Sequence, residues 1–215
     1  MLTHDKEFSQ RNNLFLRQLF FEKRRLIFLE DHVDGSGGAA YCNDPTMPGW
    51  SVSPRGVIDQ ILYLDHVENS QNSPIRLVID SPGGYVSYYL NLYDVIQAAR
   101  SPIYTIAMGF IASAAAPILA GGFPGKRYIF ASSRTMIHLP RGGAHGDDED
   151  LDKQAKQLRK IKDTYMKILG RHTGKDPDEI EKAINRKDHF MDAMETIEFG
   201  LADNLVTSLE ETFVL

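Results

Sequence analysis

The stretch IRLVIDSPGGYVSYYLNLYDVI, residues 75–96, decides the fold. A short apolar strand pattern, IRLVID, runs into Ser-Pro-Gly-Gly and then into a helical pattern that extends from about 86 to 99. Two adjacent glycines cost conformational entropy and contribute no packing. We therefore interpret Gly83 and Gly84 as a place where bare backbone N–H groups lie close to another group, although a plain turn would also use them.

Strand and helix patterns alternate along the rest of the chain. Further strands are predicted at RLIFLE (25–30), PIYTIAMG (102–109), KRYIFA (126–131) and RTMIHLP (134–140). A helix is predicted at 54–70, with its apolar positions at Val57, Ile58, Ile61, Leu62 and Leu64. Another is expected at 113–122, and a third at 177 onward. This alternation predicts an α/β fold with a parallel sheet and crossover connections.

Length and composition favour a single domain over residues 1–215. Residues 1–25 are predicted to form an N-terminal segment and helix, and the Gly- and Pro-rich residues 34–53 an inserted loop. The net charge of -5 argues against nucleic acid as the main partner. The lone Cys42 excludes an internal disulfide and, with no apolar signal region near the start, suggests a cytoplasmic protein.

One apolar run, IAMGFIASAAAPILAGGF at residues 106–123, is long enough to raise the question of a membrane span. Its residues are mostly small, and glycine, serine and proline interrupt it. We expect a buried strand, turn and helix instead, with no membrane contact.

Residues 147–170 predict a long helix that is acidic at its start and basic further on, as the helix dipole favours. Its apolar stripe consists of Leu151, Ala155, Leu158, Tyr165 and Ile168. The many charges suggest a helix that projects from the body and docks one face on a partner. Its acidic start is interpreted as a solvated helix terminus, so no metal site is expected.

Three residues are candidates for nucleophilic chemistry. Ser113 lies between an apolar strand and a helix, where it is either a nucleophile or a helix N-cap. His138 ends a strand beside a loop, as a base or as a half-buried histidine. Asp188, with Asp192 as its rival, could orient that base. The other six histidines lie in polar surroundings and are expected at the surface: His4, His32, His66, His145, His172 and His189.

Such chemistry also needs two donors for a developing oxyanion. Gly83 or Gly84 could supply one backbone N–H, and Ala114, directly after the serine, the other. We therefore interpret residues 81–84, called the SPGG loop below, as a wall for the oxyanion and the substrate backbone.

Four blocks in order carry a family resemblance: IDSPGG (79–84), ASAAAPILAGGFPGKR (112–127), RTMIHLPRGGAHG (134–146) and KDHFMDAMETIEFGLAD (187–203). From about Leu26 to Val206 the chain resembles ClpP, the ring-forming serine peptidase of the caseinolytic protease family. The resemblance implies a crotonase-like spiral of βαβ units and seven-membered rings paired face to face. It also implies a chamber for unfolded polypeptide that a separate AAA+ ATPase feeds.

By this resemblance Ser113 is the nucleophile, His138 the general base and Asp188 the orienting acid. Gly84 and Ala114 are the oxyanion donors. Residues at two further positions, Gly83 and Leu139, contact the substrate, and the helix at 147–170 is the family's handle, which interlocks two rings. The chain has no Walker A motif of its own, because the glycines of GGFPGKR lie too close together. The protein itself is therefore expected to bind no cofactor.

Several positions depart from the family pattern. The Met-Gly after the nucleophile is Ala114-Ala115, and the Gln after the histidine is Leu139. Arg186-Lys187 replaces the Asp-Arg pair, which removes an acidic partner from the contact between rings. In the family, aromatic residues line the pocket where the ATPase docks, and Val78 and Ala98 stand at these positions here. These departures indicate a divergent paralogue and favour a mixed ring.

Three functions are compatible with these observations. The first is a serine endopeptidase subunit that cuts unfolded proteins and peptides. The second is a catalytically silent or weakly active scaffold subunit of a mixed ring. The third, an acyl-CoA hydratase or isomerase of the crotonase superfamily, is less well supported because those enzymes need no Ser-His pair.

Overall fold

The structure, a computed structural model, describes residues 21, 24–30, 53–66, 73–143, 145–184 and 187–213. The predicted inserted loop at 34–53, except Ser53, and most of the predicted N-terminal segment lie outside these residues. The strands are β1 (Leu26–Leu29), β2 (Ile75–Ser81), β3 (Ile103–Ala112), β4 (Arg127–Ile129), β5 (Arg134–Ile137), β6 (His189–Met191) and β7 (Asn204–Leu205). The α-helices are α1 (Pro54–His66), α2 (Val86–Ala98), α3 (Ala116–Ala120), α4 (Asp148–Thr173), α5 (Pro177–Ile184), α6 (Ala193–Phe199) and α7 (Leu209–Phe213).

The strands form a mostly parallel sheet. Its main path runs β1-β2-β3-β4-β7, and β5 pairs with the second half of β3. Every pairing is parallel except that of β6, which runs antiparallel to β5. Helices α1, α2 and α3 connect β1 to β2, β2 to β3 and β3 to β4, as crossover connections between parallel neighbours require. The predicted α/β class is confirmed.

Strand β3 continues past Gly109, where the sequence pattern ended it, because a bulge bends it there. Ile79 of β2 pairs with Ala107, but Ser81 pairs with Ile111, so β3 carries extra residues between these two pairs. The Asp80 carboxylate fills the bulge and accepts a hydrogen bond from the Phe110 amide at 2.9 Å. The bend moves β3 from β4, its partner at 105–107, to β5, its partner at 110–112.

The core lies between the sheet and its helices. Alternate β2 residues, among them Leu77 and Ile79, face α1 and α2, and Val78 joins a smaller cluster on the opposite face. Of the apolar positions predicted for α1, Val57, Ile61 and Leu64 are buried. Leu62 is 46% exposed, so the predicted apolar stripe was too wide at this residue.

The apolar run at 106–123 forms the end of β3, a 3₁₀ turn at Ser113–Ala115, and α3. Its alanines and α3 itself are buried in the core. No helix in the described ranges is long and apolar enough to cross a membrane.

Helix α4 extends three residues beyond the predicted end. The Asp147 side chain caps it by accepting a hydrogen bond from the Asp150 amide, and Gly174 ends it at φ 71°. Only its C-terminal half enters the core, where Tyr165 and Ile168 are buried. Leu151, at its start, is 39% exposed. The helix therefore anchors at one end and presents its other end to the surface.

Candidate active site

Strand register brings the three candidate residues together. Because β3 and β5 are neighbouring parallel strands that pair Ala112 with Met136, Ser113 and His138 lie at adjacent carboxyl ends. In the antiparallel pair β5–β6, Ile137 is opposite His189. His138 therefore lies opposite the residue before β6, which is Asp188. The β6 pairing, which has no clear signal in the sequence pattern, brings in the third residue.

Ser113 and His138 are in direct contact. The Ser113 Oγ lies 2.6 Å from the His138 Nε2, within hydrogen-bond distance. Ser113 has a φ of 56°, a left-handed conformation that costs a non-glycine residue about 1–3 kcal/mol. It caps no helix, since α3 begins after Ala115 and has no side-chain cap. Of the two roles open to Ser113, the N-cap role does not fit this geometry.

The environment of His138 keeps its imidazole neutral. Burial lowers the pKa of His138 below its ordinary value, and the Arg141 guanidinium lowers it further, while Asp188 opposes both effects. A neutral imidazole with its proton on Nδ1 can accept the Ser113 hydroxyl proton at Nε2. The geometry and charge of this pair suit a serine nucleophile with its base.

The contact between His138 and Asp188 is looser. The His138 Nδ1 lies 3.5 Å from the Asp188 Oδ1 and makes no hydrogen bond to any described residue. Arg141 donates a hydrogen bond to the same Asp188 Oδ1. The rival Asp192 is engaged elsewhere, because it caps α6 in a reciprocal pair of hydrogen bonds with Glu195. Asp188 is thus the carboxylate beside the imidazole.

The SPGG loop lies against the Ser113 turn. Gly83 has a φ of 84°, and a Cβ added to it would lie 2.6 Å from the Ala112 carbonyl oxygen and 2.8 Å from the Ala114 nitrogen. Only glycine fits both the backbone conformation and this approach. The loop and the nucleophile turn are therefore held at backbone contact.

Two hydroxyl groups hold the SPGG loop from behind. The Gly83 amide donates to the Ser81 Oγ at 3.1 Å, and the Ser81 Oγ lies 2.7 Å from the Tyr89 hydroxyl on α2. Ser81 is fully buried. Because this network engages the Gly83 amide, the candidate oxyanion donors are the amides of Gly84 and Ala114.

Sequence reasoning missed the roles of Tyr165, Tyr89 and Arg141 at the site. Tyr165 of α4 donates its hydroxyl to the Ser113 carbonyl at 3.2 Å, and burial raises its pKa. Its place in the apolar stripe of α4 predicted burial but gave no signal of this hydrogen bond. Leu139, a predicted substrate contact, is partly buried and packs against the main core.

The surface placement predicted for His172 is wrong. The last turn of α4 packs against α2, so His172 is half-buried, and its Nε2 lies 2.8 Å from the Tyr93 hydroxyl. Burial and the nearby cations Arg127 and Arg171 lower the pKa of His172.

Comparison with known families identifies the family of the chain. A family model described as Clp protease matches residues 51–209, a range that contains Ser113, His138 and Asp188. The match confirms the family resemblance, and the mostly parallel sheet with its helices is consistent with the ClpP fold. Since it covers well over half of the 215 residues, the protein belongs to the Clp protease family.

Proposed function

We propose that the protein is a serine endopeptidase subunit that hydrolyses peptide bonds in unfolded proteins and peptides. The observation that carries the proposal is the 2.6 Å contact between the Ser113 Oγ and the His138 Nε2. In a chain of the Clp protease family, this contact pairs a hydroxyl with a base whose lowered pKa keeps it unprotonated near neutral pH.

The proposed reaction begins when Ser113 attacks the scissile carbonyl carbon as His138 takes its proton at Nε2. The carbonyl oxygen becomes an oxyanion, to which the amides of Gly84 and Ala114 donate hydrogen bonds. His138 then gives the proton to the leaving amine, and water repeats the sequence on the acyl-enzyme. Removing a single oxyanion donor typically costs about 2.7–4 kcal/mol of transition-state stabilisation. Asp188 orients the imidazole and stabilises its charged form.

The substrate is proposed to lie along the SPGG loop, with its backbone beside Gly83 and its side chain near Leu139. A loop that offers backbone groups favours an extended chain, because a folded segment has already used its own N–H and C=O groups. This argument favours unfolded polypeptide over folded protein.

We also propose that the chain works in seven-membered rings, either with itself or with a second subunit type. The exposed start of α4, including Leu151, would contact a second ring as the handle. Unfolding would need a separate AAA+ ATPase, so ATP is a partner's substrate and this subunit uses no cofactor. The single cysteine suits a cytoplasmic location. The net negative charge suits protein partners, and neither nucleic acid nor a membrane is proposed as a partner.

The second candidate is a catalytically silent scaffold subunit. One observation favours it: the His138 Nδ1 makes no hydrogen bond to a described residue, so the third member of the constellation is not engaged. The two candidates differ in whether Ser113 is a reactive nucleophile in the assembled protein.

A fluorophosphonate probe separates them, with mass spectrometry to locate the adduct. We expect an adduct on Ser113 that disappears in Ser113→Ala and forms much more slowly in His138→Ala. Ser87→Ala, which removes an exposed hydroxyl from α2, is the matched control and should label like the wild type. An assembled, folded protein that gives no Ser113 adduct would instead support the scaffold.

A further inference from the structure

One carboxylate oxygen at the site has two neighbours that compete for it. The Asp188 Oδ1 accepts a hydrogen bond from Arg141, and the same oxygen is 3.5 Å from the His138 Nδ1. Arg141 comes from the loop after β5, three residues beyond His138. Asp188 is therefore held by the guanidinium and not by the imidazole it would orient.

The imidazole shows the consequence of this competition. The His138 Nδ1 is buried and makes no hydrogen bond to any part of the chain that the structure describes. A buried N–H without an acceptor costs about 1–3 kcal/mol. Moving the Asp188 oxygen closer to Nδ1 would satisfy this donor, so the observed arrangement has a nearby alternative.

The pair that holds Asp188 is open to solvent. The Arg141 side chain is 65% exposed and the Asp188 side chain 33% exposed. Exposed ion pairs are weak and are screened by salt, because water and counterions compete for both charges. A contact of this kind can open and close without unfolding the site.

We propose that Arg141 is a positioning residue that acts as a latch: it holds Asp188 off His138, and its release lets the carboxylate accept a hydrogen bond from Nδ1. This inference rests on the proposed peptidase function. The latch sets the fraction of molecules in which all three residues are aligned. At low ionic strength, where the ion pair is screened least, this fraction and the activity are therefore lowest.

The described groups that face His138 come from four segments of the fold. They are the Ser113 hydroxyl after β3, Arg141 in the loop after β5, Asp188 before β6 and the Tyr165 hydroxyl of α4. Tyr165 stays uncharged because burial raises its pKa. Among the residues that the structure describes, Arg141 and Asp188 are thus the two charges that bias the imidazole. When the latch opens, the Arg141 charge moves away from His138 and the Asp188 carboxylate moves closer. Both changes raise the pKa of His138, so the acid limb of the pH–activity profile moves to higher pH.

The test compares Arg141→Met with the wild type in the assembled full-length protein. Methionine keeps an unbranched stem but has no donor. We expect the fluorophosphonate reaction at Ser113 to be about two- to fivefold faster in low salt, which is the range that an exposed ion pair supplies. Added salt should accelerate the wild type towards the variant and leave the variant unchanged. The acid limb of the pH profile should move upward.

Two control variants separate the latch from a general charge effect. Arg134→Met removes an exposed cation from β5 and should react like the wild type. Arg141→Lys keeps a charged donor and should retain most of the restraint. An Arg141→Met variant that reacts at the wild-type rate or more slowly, with an unmoved pH profile, overturns the latch.

A second measurement does not depend on activity. Proton NMR should show a strongly downfield imidazole N–H signal in Arg141→Met, from the new bond between His138 and Asp188, that is absent from the wild type and from His138→Ala. The same signal in the wild type at low salt would overturn the latch even if Ser113 reacts. Failure of Ser113 to react in every variant would overturn the peptidase, while the NMR signal would still report the position of Asp188.

Discussion

Substituting Gly83 by alanine tests whether the SPGG loop must lie against the nucleophile turn. The new Cβ would meet the Ala112 carbonyl oxygen at 2.6 Å and the Ala114 nitrogen at 2.8 Å, and both are backbone atoms. These atoms belong to the turn that carries Ser113, so neither can yield alone. Gly125 provides a matched control: its φ is 79°, close to the 84° of Gly83, but no described atom lies within 4 Å of an added Cβ.

The two substitutions share one cost and differ in another. A left-handed conformation costs an alanine about 1–2 kcal/mol at either position. Only Gly83→Ala adds the cost of crowding a packed site, about 1–3 kcal/mol. We therefore expect a loss of unfolding free energy of about 2–5 kcal/mol for Gly83→Ala and about 1–2 kcal/mol for Gly125→Ala. If the loop shifts to relieve the contact, one oxyanion donor is lost and the acylation rate falls by about 100-fold.

Urea denaturation gives the first quantity, and the rate of fluorophosphonate labelling at Ser113 gives the second. Gly125→Ala should label at the wild-type rate. If Gly83→Ala were as stable and as reactive as Gly125→Ala, the close approach of loop and turn would have no energetic consequence, and the interpretation of the SPGG loop would be refuted.

Three further outcomes follow from single contacts. Because burial lowers the pKa of His138, the base is lost only at low pH, and the acid limb of kcat/KM should have its midpoint below 6.5; a midpoint above 7 would contradict this. Tyr89→Phe removes the hydroxyl partner of Ser81, so steady-state kinetics should show a fall in kcat of about tenfold with little change in KM. An unchanged kcat would show that the hydrogen bonds behind the SPGG loop do not contribute to catalysis. Asp192→Ala removes a helix cap, so it should lower the unfolding free energy by about 1 kcal/mol and leave the labelling of Ser113 unchanged. A large loss of Ser113 labelling would indicate that Asp192, and not Asp188, orients His138.

The fold could be predicted from local pattern, and so could the placement of Ser113 and His138 at the ends of strands; their roles remained open at that stage. An apolar run before Ser113 and another before His138 each indicate the carboxyl end of a strand, and parallel neighbours bring such ends to one edge. Asp188 follows no strand, and its partner strand β6 has only three residues and runs antiparallel. Residue pattern alone therefore left the choice between Asp188 and Asp192 open. The family resemblance selected Asp188, whose Oδ1 lies 3.5 Å from the His138 Nδ1.

The contacts around the site could not be predicted, because they join residues that are distant in sequence. Tyr165 reaches the Ser113 carbonyl from a helix 52 residues away, and Arg141 reaches Asp188 across 47 residues. Each depends on a rotamer and a register that composition does not encode. The length of β3 was underestimated for a related reason: Gly109 resembles a strand end, but Asp80, far from it in sequence, fills the bulge that lets the strand continue.

The measurement that tests the central claim most directly is peptide-bond cleavage of an unfolded polypeptide by the assembled protein, with new amino termini counted for the wild type and for Ser113→Ala. The hydroxyl and imidazole in contact at 2.6 Å predict new termini with the wild type and none above background with the variant. Equal cleavage by both proteins, or no cleavage by a wild type whose Ser113 reacts with the probe, would contradict the assignment of Ser113 as the nucleophile of a peptidase.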